Sequence, residues 1–218
     1  MGKIMTVVGV SATLLGMTQV AGVAVPAALI EAAQQSPVDF AAALAGASVP
    51  SGFEIKDADD GPPSELATAP VDPNRKVAMA DVIRAFEDRH SGYRARMIRG
   101  TLVVRPVEGA LAFLDEPSTI YPPVKVTGIM EAARRIFLPL DARLAGAGLG
   151  VGRPGDFVPV AIDGSGGRTV IDTLNQIVTQ VSGRAWLVTT RKQGSDIRVS
   201  GFGFIEGDGS RRTHPLLQ

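Results

Sequence analysis

Apolar and polar positions alternate along this chain in short, regular pieces. From Met79 to His90, the positions Met79, Ile83, Phe86 and His90 follow spacings of four, three and four, which places them on one helical face. Ser91-Gly92 ends that helix, with glycine suited to a left-handed cap. Tyr93, Ala95 and Met97 then alternate with Arg94 and Arg96, the two-residue period of a strand. Arg99-Gly100 is a turn, and Thr101 to Arg105 is a return strand stopped by Pro106. The unit is helix, strand, turn, strand.

The same unit recurs downstream. Thr169-Val-Ile-Asp172 has the spacing of a capping box, and Val170, Leu174, Ile177 and Val181 repeat the four, three, four spacing. Sliding Ser91-Gly92 onto Ser182-Gly183 overlays all four helix positions. Ala185 to Thr190 reads as a strand, Arg191 to Ser195 as a polar turn and Asp196 to Ser200 as the return strand. On this pattern Ile83 and Leu174 are buried at matching places.

Lead-in strands are expected at Gly52 to Asp57, which alternates apolar and charged residues, at Val124 to Val126, and at Phe157 to Ile162. Helices are expected from Pro26 to Ala33, around Phe40 to Leu44, and from Ile129 to Phe137. Asp57 to Pro73 and the glycine-rich Leu144 to Gly155 read as loops. The predicted fold class is α+β: small helix-plus-hairpin modules with short mixed sheets of about three or four strands, in two tandem copies. The modules span 25–108 and 119–205, joined by a linker at 109–118 and followed by a polar tail at 206–218.

The N-terminus changes the picture of compartment. Lys3 precedes an apolar run from Ile4 to Ile30, and Gly22-Val23-Ala24 fits a small-x-small cleavage site. The expectation is a signal peptide over 1–24, with two alternatives: a retained anchor, since the run is long enough to span a membrane, and a buried helix. The protein is then exported, to the periplasm or cell envelope. The formal net charge of zero provides no global field for nucleic acid. The absence of cysteine excludes disulfides and thiolate chemistry.

The segments Asp81-Val-Ile-Arg-Ala-Phe86, Ser91-Gly-Tyr-Arg-Ala-Arg96 and Gly100-Thr-Leu-Val-Val-Arg-Pro106, with Thr169-Val-Ile-Asp-Thr-Leu-Asn175 and Ser182-Gly-Arg-Ala-Trp186, resemble the secretin and TonB short N-terminal (STN) domain. The resemblance covers the two units and their lead-in strands. It implies a non-catalytic periplasmic module that contacts partner proteins. No secretin β-domain follows, so pore formation is not implied.

Candidate chemistry is sparse. His90 and His214, the two histidines, have no neighbouring ligand pattern. Asp57-Ala-Asp-Asp-Gly61 opens like a calcium loop, but Pro62 and Thr68 stand where an EF-hand needs glycine and glutamate. Gly146 to Gly152 lacks the ending of a P-loop, and Asp163 to Gly167 reads as a turn, with an anion site as the sharper alternative. Trp186 is expected to pack in the core. No catalytic, cofactor or metal residue is assigned. Arg84, Arg89, Arg94, Arg96, Arg99 and Arg105 crowd the first unit, partly offset by Glu87 and Asp88. Arg94, Arg96, Arg99, Thr101, Val103 and Arg105 are the candidate partner-binding edge, with Thr101 to Arg105 as the open strand. The functional expectation is a non-enzymatic envelope module for protein–protein interaction or assembly. The partner is an unidentified envelope protein, with no nucleic acid and no cofactor, and with membrane contact only through a retained N-terminal helix. The alternatives are a secreted hydrolase or its accessory domain, and a membrane-anchored structural protein.

Overall fold

A computed structural model describes residues 23–61, 74–120, 123–126, 128–141 and 159–215, with only the backbone of Val126 and of 212–215. Most of the expected signal peptide and the glycine-rich 144–155 therefore lie outside the described residues. The helices are α1 (Ala28–Ala32), α2 (Pro37–Gly46), α3 (Met79–Arg89), α4 (Ile129–Phe137) and α5 (Val170–Gln180). The strands are β1 (Ala24–Pro26), β2 (Ser51–Lys56), β3 (Lys76–Ala78), β4 (Tyr93–Ile98), β5 (Thr101–Pro106), β6 (Val124–Val126), β7 (Val160–Ile162), β8 (Arg184–Gln193), β9 (Asp196–Glu206) and β10 (Arg211–Pro215). Among the described residues, no helix is long and apolar enough to cross a membrane.

The fold is mixed α and β, as expected, but the hairpins do not form separate small sheets. One six-stranded sheet has the order β10-β9-β8-β2-β5-β4. The lead-in strand β2 lies at its centre, parallel to β5 on one side and to β8 on the other. Helices cover both faces. Leu29, Phe40, Leu44, Val82 and Phe86 of α1, α2 and α3 pack on Phe53, Ile55, Leu102, Val104 and Leu187. Ile136, Phe137, Leu174 and Ile177 of α4 and α5 pack on Val103, Trp186, Val188 and Phe204. Stacked phenylalanines tie helix to helix and helix to sheet: Phe40 on Phe86 with ring centres 4.9 Å apart, and Phe137 on Phe202 at 4.7 Å. Each such fully buried ring contributes about 1.5–3 kcal/mol over an exposed one.

Being covered on both sides, β2 is buried from Ser51 through Ile55. Its alternating sequence suggested a half-buried strand, and Glu54 is the residue that departs from that reading. Val124–Val126 and Val160–Ile162 pair with each other as a separate antiparallel ribbon, not with the hairpins. Ala24–Pro26, expected to open a helix at Pro26, pairs with Lys76–Ala78 as a second ribbon. The segment Arg211–Pro215, read as polar tail, is the sixth strand of the main sheet.

Both predicted units adopt helix, strand, turn, strand, yet they are not equivalent. The hairpin of the first unit meets β2 through its second strand, that of the second unit through its first. Helices α3 and α5 lie on opposite faces of the sheet. Gly183 has a φ of +77°, while Gly92 has no left-handed backbone. Leu174 is buried, but Ile83 is only partly so, because α3 turns Met79, Val82 and Phe86 to the core. The capping box is present in full: Asp172 N–H donates to Thr169 Oγ1 at 3.2 Å, and Thr169 N–H donates to Asp172 Oδ2 at 3.1 Å.

Candidate functional site

Among the described residues, strand β4 is one edge of the sheet, and its neighbour β5 is interior. The open strand expected at Thr101 to Arg105 is therefore corrected. β5 is hydrogen-bonded on both sides, antiparallel to β4 and parallel to β2. The physical reason is that β2, buried on both faces, needs a hydrogen-bonded neighbour on each side, and it takes the more apolar strand of the hairpin and leaves the arginine-bearing strand outside.

The turn between them is tight. Ile98 pairs with Thr101, and Arg99 and Gly100 both have positive φ, +50° and +81°, the requirement of a type I′ hairpin turn. This register puts Arg94, Arg96, Ile98, Thr101, Val103 and Arg105 on one face of the hairpin, since alternate residues share a face. On that face α5 reaches Val103 and, at the turn end of β4, Ile98, while Arg94 and Arg96 stay exposed. The result is a groove of about 430 Å³ walled by Arg94, Arg96 and Arg105, with Ile98, Val103 and Ile171 forming its apolar part.

The expected residues take different roles there. Arg105 is a half-buried scaffold. Its Nε donates to Glu54 Oε2 at 2.7 Å, Nη1 to Asp115 Oδ1 at 2.6 Å, and Nη2 to the Leu111 carbonyl at 2.9 Å. Leu111 N–H in turn donates to Glu54 Oε1. Glu54 is fully buried on β2, and burial pushes its carboxyl above the ordinary range against the opposing pull of Arg105 and the Leu111 amide. Thr101 is fully buried, and Val103 belongs to the core. Arg99 pairs with Asp172 at 3.3 Å and ties the turn to the N-terminus of α5. Arg94 and Arg96 are exposed, and Arg96 makes no ion pair among the described residues. Of the other crowded arginines, Arg84 pairs with Asp81 at 3.4 Å on the surface of α3.

Sequence reasoning missed the part played by Glu87. From α3 its Oε1 accepts the N–H of Ala95 at 2.9 Å, and its Oε2 accepts from Arg94 Nη1 at 3.1 Å. One carboxylate thus covers part of the exposed edge. In this hairpin the pairs Ile98–Thr101, Arg96–Val103 and Arg94–Arg105 exchange ladder bonds, so the amides of Tyr93, Ala95 and Met97 point outward. Tyr93 N–H goes to the His90 carbonyl, Ala95 N–H to Glu87, and Met97 N–H has no partner among the described residues. No periodicity signals the Glu87–Ala95 bond, which turns a helix-to-strand corner.

The other candidate motifs are accounted for by structure. The carboxylates of the Asp57 to Asp60 run diverge, to Ser200, to the Tyr93 hydroxyl and to Arg211. In the Asp163 to Gly167 turn, Ser165 N–H and Oγ both donate to Asp163, so that amide is already satisfied. These bonds, with Arg168 alongside, hold the Asp163 carboxyl below its usual range. His90 packs on Phe86 with ring centres 4.8 Å apart and donates from Nε2 to the Gln35 carbonyl. The His214 side chain lies outside the described residues. Trp186 is buried as expected and donates from Nε1 to Asn175 Oδ1 at 2.9 Å. A second pocket, of about 350 Å³, lies between Asp57, Thr189, Ser200 and Arg211, where Ser200 is bonded to both Asp57 and Thr189.

No family model, curated protein or solved structure matches the chain. The chemistry of the groove and edge is therefore read from their own residues. They present outward main-chain groups, two exposed guanidinium groups and an apolar floor, a combination suited to an extended peptide.

Proposed function

We propose that the chain is an exported, non-enzymatic module of the cell envelope that contacts another protein through the β4 edge. The observation that carries this reading is the edge itself. Met97 offers an outward N–H beside a groove with an apolar floor, and exposed edges of this kind accept an added strand. The resemblance of the helix-plus-hairpin units to the STN domain supports the same reading, as does the small-x-small motif Gly22-Val23-Ala24 behind an apolar run. Arginines on a free edge also oppose pairing with a second copy, since like charges would face one another.

Photo-crosslinking tests the proposal. A photoreactive residue at position 98, in the full chain within its native envelope, is expected to yield one discrete adduct. The same residue at position 192, on β8, is expected to yield none. Equal labelling at both positions, or no adduct at 98, overturns the reading.

A further inference from the structure

We propose that the β4 edge selects an acidic extended segment, whose carboxylate is held by Arg96 and whose main chain pairs with Met97. This rests on the edge-docking reading above and adds the chemistry of the partner.

The argument starts from a contact the protein makes with itself. Glu87 shows how this edge holds a carboxylate: one oxygen on an outward amide, Ala95 N–H, and the other on the guanidinium of the preceding residue, Arg94. Two residues along, the sequence repeats the pair as Arg96 and Met97. Because the strand period is two, the Met97 amide points outward like that of Ala95, and Arg96 lies on the same face as Arg94. Arg96 has no ion pair and Met97 N–H no acceptor among the described residues. Among the described residues that line the groove, the one acidic side chain is Asp115, which is bonded to Arg105. Among the described residues, the positive charge of Arg96 is thus unpaired and open to a partner.

The geometry also sets the pattern of that partner. A segment paired with β4 at Met97 would place its neighbouring side chains opposite Arg96 and opposite Ile98, both facing the groove. An acidic residue suits the first position and an aliphatic one, two residues away, suits the second. The pairing ends at Ala95, whose N–H belongs to Glu87.

The test uses the full chain and three capped peptides: Thr-Glu-Thr-Ile-Thr-Glu-Thr and its two counterparts with glutamine or lysine replacing glutamate. Amide resonances are followed by NMR as each peptide is added. The glutamate peptide is expected to shift Met97 and Ile98, with binding that weakens as salt rises. Arg96→Gln is expected to raise its Kd about tenfold or more, as loss of a charge-assisted contact does. Arg84→Gln, on α3, is expected to leave the Kd unchanged. Glu87→Ala frees the Ala95 N–H and Arg94, lengthens the available edge and is expected to lower the Kd. If the glutamine peptide binds as well as the glutamate peptide and shifts the same amides, edge docking stands and the acidic selection is overturned. Binding of the glutamate peptide that ignores Arg96→Gln also overturns it. If no peptide shifts Met97 at millimolar concentration, both readings fail.

Discussion

At the scale of single residues, three positions show how far local chemistry depends on what packs against them. Gly52 on β2 faces Trp186 on β8, and a Cβ at that position would come 1.8 Å from the indole. Gly52→Ala therefore forces the largest side chain of the core to move, and its hydrogen bond to Asn175 with it. The expected loss is about 3 kcal/mol, the upper part of the range for overpacking, measured by urea unfolding. Glu54 is the buried acid that orders Arg105 and Leu111. Glu54→Ala leaves a mostly buried guanidinium with Asp115 and one carbonyl, and is expected to cost about 3 kcal/mol or more on the same measurement. His90 supplies a pH dependence. Burial lowers its pKa, with Arg89 adding to the effect and the Gln35 hydrogen bond opposing it. The unfolded chain then takes up a proton first as the pH falls. The contribution of His90 is full above about pH 6.5 and is lost as the pH drops below that. The stability gap between the native chain and His90→Gln should thus narrow between pH 7.5 and pH 5, read from urea midpoints; a constant gap would contradict this.

At the scale of elements, the position of a strand in the sheet decides what a substitution does. β5 is interior, so Val103→Pro removes a ladder donor and is expected to unfold the protein, with no cooperative thermal transition. Met97→Pro on β4 removes only an outward donor and is expected to keep that transition. Should both variants melt alike, the assignment of β4 as the edge is wrong. The units themselves were legible in the sequence because caps and periodicities are local: Thr169 and Asp172 form the box that their spacing announced. The lengths of β8 and β9 were not. The expected turn from Arg191 to Ser195 narrows to Gly194-Ser195, because cross-strand pairing carries polar residues such as Lys192 into the ladder. Arg211–Pro215 is a strand for the same reason: β9 offers it an edge.

For the whole molecule, β2 links the two halves. It belongs to the first half of the sequence, yet its six residues pair with β8 of the second half. Fragments cut near residue 110 are expected to lack cooperative unfolding by circular dichroism when separate and to regain it when mixed. A cooperative transition in the isolated second fragment would show that the halves are independent domains after all. The proposed export has its own measurement, the intact mass of the protein from its native envelope, expected to lack residues 1–24. Removal of those residues would shorten β1 to Val25 and Pro26 and would take away the Val23 carbonyl that accepts the N–H of Met79.

What the sequence determined by itself is the succession of local units. Helix faces, a capping box, a turn at Arg99-Gly100 and alternating strands each depend on residues within about one turn or one hairpin of each other. It also brought forward the arginines, since Arg94 and Arg96 are adjacent alternate positions of one strand. Only the tertiary structure decided which strand of the hairpin is free, which face of it stays open, and that Arg105 is bound within the scaffold while Arg96 is exposed. Those outcomes depend on pairing with β2 and on contacts to Glu54, Asp115 and Glu87. Strand order and helix placement follow from burying apolar surface on both faces of one sheet, an energy that belongs to the assembled chain and to no single segment of it.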